Sequence, residues 1–340
     1  MKLTWATLTI GLLATSLLAA QRGQPVQLLE CGAHEGLEVI CGTQGPEDLE
    51  LAPDGRRLIV SQFSMGGTSG GLALFDPETA EFTNMAIASD RREGWGEPAC
   101  PGPMTEPIAA HGISLGAHPD GTPALYVVNH GGRETVEMFG MREAGGMWEL
   151  VWHGCAVASA DYNDVAILPG GGYVATRPTA LQEEGDGGGN LFGGQPSGNV
   201  AHWRPGEGET ILPGTDAGYP NGVVADPDGR TIYIAAWTGR QVRKYDLEDR
   251  SEVETITLDF MPDNLSWTPD GGLLAAGIAG FGGAGGFTVA EVDPDSMTAT
   301  TLYQPAAGAQ PITGVSVALE VDGALYVGAF QGDRIVRIDP

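Results

Sequence analysis

Six polar pairs recur along the chain, each just ahead of an apolar run: Glu47-Asp48, His111-Gly112, Asn163-Asp164, Asn221-Gly222, Asp263-Asn264 and Thr313-Gly314. In four of them the second member lies five positions before the proline of a following turn. At His111 and Thr313 the run is two residues longer. If equivalent strands converge on one axis, Glu47, Asn163, Asn221, Asp263 and Asn264 form a ring of oxygen donors carrying two carboxylates. Hard oxygen ligands without thiolates suit Ca2+ better than Zn2+, and better than Mg2+, which dehydrates reluctantly and demands a tight octahedron. Taken singly, each Asn or Asp is an ordinary turn residue. Turn chemistry does not require a shared phase, and an unpaired carboxylate ring is costly without a cation. Asp48 and Asp164, one residue along and facing the other way by strand alternation, form a second set. With the backbone carbonyl of Ile113 they could hold a second, deeper Ca2+. The alternative is two carboxylates that accept backbone N–H groups.

The elements that position these residues are read from a repeated turn. ELAPDG, GAHPDG, AILPGG, VADPDG, SWTPDG and LEVDG end at Gly55, Gly121, Gly171, Gly229, Gly271 and Gly323. Proline presets φ, and glycine accepts the positive φ that such a turn needs. Similar strands follow: LIVSQF, ALYVVNH, GYVATR, TIYIAAW, LLAAGI and ALYVGAF. A third strand follows each of these. Turn spacings of 42 to 66 residues fit four-stranded propeller blades with loop insertions. The expected fold is therefore all-β, a six-bladed β-propeller of four antiparallel strands per blade, rather than a β-sandwich. The sixth unit shows only three strands, so Leu37 to Ile40 is expected to supply its fourth and close the ring, which covers an exposed edge. The Gly- and Pro-rich stretch from Arg91 to Thr105 is expected to cap a face. Glu183 to Ser197 is expected to form a flexible lid or rim.

Composition limits the partners. With Lys+Arg 17 against Asp+Glu 44, the net charge is −27, which opposes binding to nucleic acid or anionic lipid. Residues 1–20 read as a secretory signal: Met1-Lys2, an apolar run from Leu3 to Leu18, and small residues before Gln21. Its retention as an anchor is the alternative. The expected organisation is thus a signal segment, then one propeller domain over 21–340, exported to a periplasmic or extracellular setting. Export permits disulfides. Among three possible pairings, Cys31–Cys41 with Cys100–Cys155 is favoured, because Cys100 and Cys155 each lie shortly before equivalent strands of neighbouring repeats. No Gly-x-Ser-x-Gly motif sits on a strand-to-helix turn, and no P-loop or dinucleotide fingerprint has its strand–helix context.

EDLELAPDG, HGIS, LYVVNHGGRETVEMF, YNDVAILPGG, YPNGVVADPDGRTIYIA and DNLSWTPDG follow one another from about Gly45 to Gly280. In order and spacing they resemble the serum paraoxonase/arylesterase family; HGIS with VVNH is the most specific part. The NG and DN repeats alone are shared with wider gluconolactonase and strictosidine-synthase-like propellers. The resemblance implies a catalytic Ca2+ on Glu47, Asn163, Asn221, Asp263 and Asn264, and a structural Ca2+ on Asp48, Asp164 and the carbonyl of Ile113. It also implies a dyad of His111 and His130, with activity on lactones, aryl esters and, in some members, phosphotriesters. Two departures stand out. No Cys follows Cys155, so ring closure depends on strand pairing. Thr176-Arg177-Pro178 replaces an Asn-Asp-His stretch, which remodels a pocket wall.

Read forward, the chemistry is Lewis-acid polarisation of a lactone or ester carbonyl by the cation, with His111 as base towards water and His130 orienting or relaying. His111 as a structural channel residue, with Asp263 or the metal activating water, is the alternative. Tyr219, two residues before Asn221, is expected in the apolar substrate pocket. The competing functions are a sugar-lactonase acting on aldonolactones and a non-catalytic ligand-binding propeller.

Overall fold

The computed structural model describes residues 26–64, 70–183, 185, 192–280 and 286–339. Residues 1–20, expected to be a secretory signal, lie outside them, as does much of the Gly-rich stretch after Glu183. The described chain is nearly all β and folds as a six-bladed propeller. Blade 1 comprises Pro46–Leu51, Leu58–Gln62, Gly71–Asp76 and Glu81–Asn84. Blade 2 comprises Ala110–Ala117, Pro123–Asn129, Thr135–Ala144 and Met147–Val157. Blade 3 comprises Val165–Ile167, Tyr173–Arg177, Asn199–Arg204 and Gly208–Ile211. Blade 4 comprises Pro220–Ala225, Thr231–Ala236, Gln241–Asp246 and Ser251–Thr257, and blade 5 comprises Met261–Trp267, Leu273–Ile278, Phe287–Asp293 and Thr298–Tyr303. Blade 6 is Val315–Val321, Ala324–Ala329 and Arg334–Ile338, completed by Leu37–Cys41.

The glycine ending each of the six turns has positive φ. In the first five, its N–H donates to the carbonyl three residues back, as with Gly55 to Ala52 at 2.8 Å. The second strands are apolar on both faces because each face meets a different neighbour. Ile59 packs towards blade 2, whereas Leu58 and Val60 pack towards blade 6. The core is accordingly six separate layers between adjacent blades. Tyr173 stacked on Trp203 at 5.3 Å fills one of them. Full burial of such side chains stabilises by roughly 1.5–3 kcal/mol each, which holds the blades together without a central core.

Leu37–Cys41 pairs antiparallel with Arg334–Ile338, in register from Leu37 opposite Ile338 to Cys41 opposite Arg334. This is the expected non-covalent closure. Gly32–His34 then adds a fifth strand, tied by the Cys31–Cys41 disulfide. Cys100–Cys155 is also formed, but not for the reason read from the repeats. Cys155 lies inside the fourth strand of blade 2, whose outer edge also takes the short parallel strand Ile87–Ser89. The first part of the Arg91–Thr105 segment runs along that fourth strand, while Gly102 accepts Arg133 from the loop that carries His130. The amides of Asp90, Arg92 and Glu97 donate to the carbonyls of Trp152, His153 and Cys155. Trp95, stacked on His118 at 3.9 Å, pins the segment further. Among the described residues no helix is long and apolar enough to cross a membrane.

Candidate active site and metal centre

The innermost strands touch one another around the axis, and four of the six polar pairs sit where the β register breaks. The irregularity falls between Pro46 and Asp48, Ala110 and Ile113, Pro220 and Val223, and Pro262 and Leu265. A bulge adds a residue and re-aims side chains, so Glu47, His111, Asn221 and Asp263-Asn264 turn out of the ladder towards the axis. Close approach also explains two glycines. A Cβ on Gly112 would lie 2.3 Å from Asp164 Oδ1, and one on Gly222 would lie 2.5 Å from the carbonyl oxygen of Asp263.

The structure brings the five expected cation ligands together, all buried. Asn264 Nδ2 donates to Glu47 Oε1 at 2.9 Å and to the Glu47 carbonyl at 3.1 Å. The Asn221 side chain hydrogen-bonds to the Asp263 carboxylate. Asn163 Nδ2 lies 3.4 Å from His111 Nε2, which is 3.9 Å from Glu47 Oε1. With the amide nitrogens spent in this way, Glu47 Oε2 and the Oδ1 atoms of Asn163, Asn221 and Asn264 are buried with no hydrogen-bond partner. Orphaned buried acceptors are rare and costly. Four of them on four blades, all oxygen, match the donor set a Ca2+ ion takes.

The electrostatics agree. Burial pushes the Glu47 carboxyl well above its ordinary value, and Asp48, Asp263 and Asp164 push it further. Asp263 and Asp164 are also raised, chiefly by burial. Burial raises Asp48 to about 7 against the lowering effect of two amides. Such a concentration of buried carboxylate calls for a positive partner.

The second set sits deeper, at the inner end of a cavity of about 620 Å³ that also holds Glu50, raised by burial to about 8. Asp48 Oδ1 accepts the amide of Leu49 and its Oδ2 that of Ile113, both at 2.8 Å. Asp164 accepts the amides of Val165 and Val223, both at 2.7 Å. Ile113 thus meets Asp48 through its N–H. Each carboxylate ties its own innermost strand to the next blade, and each still has lone pairs to offer a cation. Thr313 stands apart, in a smaller cavity of about 160 Å³ with Phe330 and Gln331.

His111 Nδ1 and His130 Nε2 are 3.0 Å apart, and Phe63 stacks on the His111 ring at 4.2 Å. Burial, and then His130, hold the His111 imidazole well below its ordinary value. For His130, burial acts downwards, but the hydrogen bond and charge of Glu134, with Asp161, outweigh it and raise the net value. His130 Nδ1 lies 2.6 Å from Glu134 Oε2 and 3.2 Å from Asp161 Oδ1. The loop carrying His130 is anchored on buried Glu137, which takes Arg133 at 2.7 and 2.8 Å, Thr135 Oγ1 at 2.6 Å and Trp152 Nε1 at 2.7 Å. Half-buried Tyr219 sits beside Trp237 at 5.3 Å with φ 55. Its hydroxyl is pushed up to about 12 by burial and then by Asp263, Asp161 and Glu47, which places it at the same mouth. Where the resemblance implied a changed wall, Thr176 Oγ1 donates to the Asn221 carbonyl at 2.5 Å, and Arg177 Nη1 donates to Asn199 at 2.9 Å.

Sequence reading missed Glu134 and Asp161. It also missed three hydroxyls that fix the backbone of site residues on neighbouring blades. Ser61 donates to the His111 carbonyl at 2.5 Å, Thr176 to that of Asn221, and Ser316 to that of Glu47 at 2.6 Å. Ser61 and Thr176 hold the same position in LIVS and YVAT, a signal legible in the repeat.

The sequence profile of the arylesterase family matches residues 24–282. The chain belongs to the arylesterase family. Relatives include serum paraoxonase/arylesterase 2 of Gallus gallus, 27% identical over 91% of this chain and 89% of the relative. Serum paraoxonase/lactonase 3 of Oryctolagus cuniculus is 28% identical over 76% and 72% of the two chains, and serum paraoxonase/arylesterase 1 of Homo sapiens 25% over 77% and 73%. The family match and these relatives support an ester or lactone hydrolase. Among solved structures, a gluconolactonase from Xanthomonas campestris superposes with TM-score 0.53 at 16% identity over 93% of this chain and 95% of that one. A luciferin-regenerating enzyme gives 0.54 at 12% over 89% and 95%. At these identities, the two structures speak for the propeller fold of this arylesterase-family chain, not for its substrate.

Proposed function

We propose that this protein is an exported, calcium-dependent hydrolase of lactones and aryl esters, acting at the mouth of the propeller channel. The observation that carries the reading is the set of four partnerless buried oxygens on Glu47, Asn163, Asn221 and Asn264, with Asp263 beside them. These five residues would hold the catalytic Ca2+, and Asp48, Asp164 and the Ile113 carbonyl a second one. Bound there, Ca2+ supplies a Lewis acid for the substrate carbonyl and positive charge for the oxyanion that develops on it. His111 Nε2, which faces this cluster, takes a proton from the attacking water. His111 Nδ1, 3.0 Å from His130 Nε2, shares that charge with the second ring. Burial keeps His111 neutral at working pH, so it is available as a base. Phe63, Tyr219 and Trp237 give the mouth aromatic walls suited to apolar acyl or aryl groups, which favours this reading over a sugar-lactonase. The two disulfides suit an oxidising, extracytoplasmic setting.

The deciding experiment measures turnover of γ- and δ-lactones, phenyl acetate and aldonolactones before and after EDTA, then with Ca2+ restored. Loss and recovery on the apolar substrates supports the proposal. Preference for aldonolactones points to a sugar-lactonase. Calcium-dependent stability without any turnover points to a binding module.

A further inference from the structure

The hydrogen bonds around the two histidines run in one direction. An ionised carboxylate only accepts, so a His130 Nδ1 facing Glu134 Oε2 at 2.6 Å and Asp161 Oδ1 at 3.2 Å must carry a proton. A neutral His130 then has a bare Nε2, which accepts from the atom 3.0 Å away, His111 Nδ1. His111 Nδ1 in turn carries a proton, and His111 Nε2 is left with its lone pair. The far end of the chain makes the same demand independently. Asn163 Nδ2, a donor, stands 3.4 Å from His111 Nε2 and needs an acceptor there.

We infer that Glu134, supported by Asp161, is a positioning residue that sets the tautomers of both histidines and thereby aims a lone pair of His111 at the oxygen cluster. The consequence for hydrolysis rests on the function proposed above; the tautomer assignment does not. When His111 Nε2 accepts a proton from water, its Nδ1 proton passes to His130 Nε2. His130 becomes the imidazolium, still donating from Nδ1 to Glu134. The positive charge ends beside two carboxylates and one ring further from the cation ligands. Return of the proton by the reverse path protonates the leaving alkoxide and restores both rings. Glu134 and Asp161 are exposed at 46% and 65% of their side-chain surface, so their replacement leaves the fold intact.

The test uses the calcium-loaded protein with 15N-labelled histidine. There are six histidines, and the two signals are assigned with His111→Gln and His130→Gln. We expect both rings in the Nδ1-protonated form at pH 8. In Glu134→Ala/Asp161→Ala, Nε2-protonated His130 should appear, with kcat lower by roughly 10- to 100-fold and KM and Ca2+ affinity unchanged. Glu134→Gln, whose amide oxygen can still accept, should keep the tautomers and recover much of kcat. A wild-type His111 protonated on Nε2 overturns the inference. So does an unchanged tautomer pair in the double variant. Tautomers that respond as stated in a protein without hydrolytic activity support the inference and defeat the proposed function.

Discussion

Removing the cation should make stability depend on pH in a direction opposite to that of ordinary paired carboxylates. Asp48 is raised by burial from 3.8 to about 7, and Glu47, Asp164 and Asp263 move the same way. A raised carboxyl binds its proton more tightly folded than unfolded. Its destabilisation is absent below the unfolded value near 4, grows as pH rises towards the folded value, and is complete above it. For Asp48 alone the gap corresponds to ~4 kcal/mol above pH 7, at about 1.4 kcal/mol per pH unit. With ~2.1 cal/mol/K of unfolding entropy per residue, that is about 6 °C in Tm for a chain of this length. Calorimetry in EDTA should therefore give a Tm several degrees higher at pH 5 than at pH 8. Millimolar Ca2+ should raise Tm strongly at pH 8 and little at pH 5. His130 also has a raised value, so it loses stabilisation as pH rises. The lowered His111, His153 and His202 act the other way, costing stability as pH falls below their unfolded value. The slope is therefore read as the difference between EDTA and Ca2+ at each pH, and His130→Gln isolates the share of that ring. An EDTA-treated protein whose Tm is flat or rises from pH 5 to 8, or a Ca2+ effect equal at both, refutes the idea that these carboxylates are held against a cation.

Three further outcomes are expected. Asn221→Ala should weaken Ca2+ binding by calorimetric titration and reduce kcat/KM by at least roughly 100-fold together; a variant that keeps either one intact excludes Asn221 as a ligand. His111→Gln should leave Ca2+ affinity essentially unchanged while slowing hydrolysis by roughly 10²–10⁴, and full activity in it removes the base. Gly112→Ala should lower Tm far more than Gly121→Ala. The first Cβ meets Asp164 and the Asn163 backbone, whereas the second meets nothing within 4 Å and adds only the strain of its φ of +84; equal losses would show that the innermost strands do not approach as closely as described.

Much of this was legible in the sequence, because a propeller writes its geometry into a repeat. The Pro-Asp-Gly turns fixed the phase of the polar pairs, and that phase picked out Glu47, Asn163, Asn221, Asp263 and Asn264 from many similar turn residues. What stayed hidden depends on contacts between blades. Glu134 looks like any exposed acid in GGRETV until the loop, held by Arg133 and Glu137, swings it onto His130. Asp161 reaches the same ring from another blade. The Arg91–Thr105 segment carries turn formers but no β pattern, so its attachment along blade 2 through His153 and Cys155 could not be read from periodicity. The register breaks at the polar pairs were equally invisible, since a bulge changes pairing and not residue type.

The second members of the six pairs are, in ring order, Asp48, Gly112, Asp164, Gly222, Asn264 and Gly314. Side chain and glycine alternate, and the contacts give a reason. The space beside Gly112 is filled by the carboxylate of Asp164, and that beside Gly222 by the backbone of Asp263 and Asn264. The bare amide that follows each glycine, Ile113 or Val223, is the one that a neighbouring carboxylate reaches, Asp48 or Asp164. Beside Gly112 and Gly222 the next blade leaves no room for a further side chain at this level. Oxygen ligands must therefore be gathered from two successive residues on some blades and none on others. Glu47-Asp48, Asn163-Asp164 and Asp263-Asn264 are where this doubling occurs; the bulge takes both Asp263 and Asn264 out of the ladder, whereas on blade 1 only Glu47 leaves it and Asp48 stays paired with Ser61. Moving a donor is then a more severe change than deleting one. Exchanging Gly222 and Asn221 would push a Cβ into the blade 5 backbone while leaving the mouth one oxygen short.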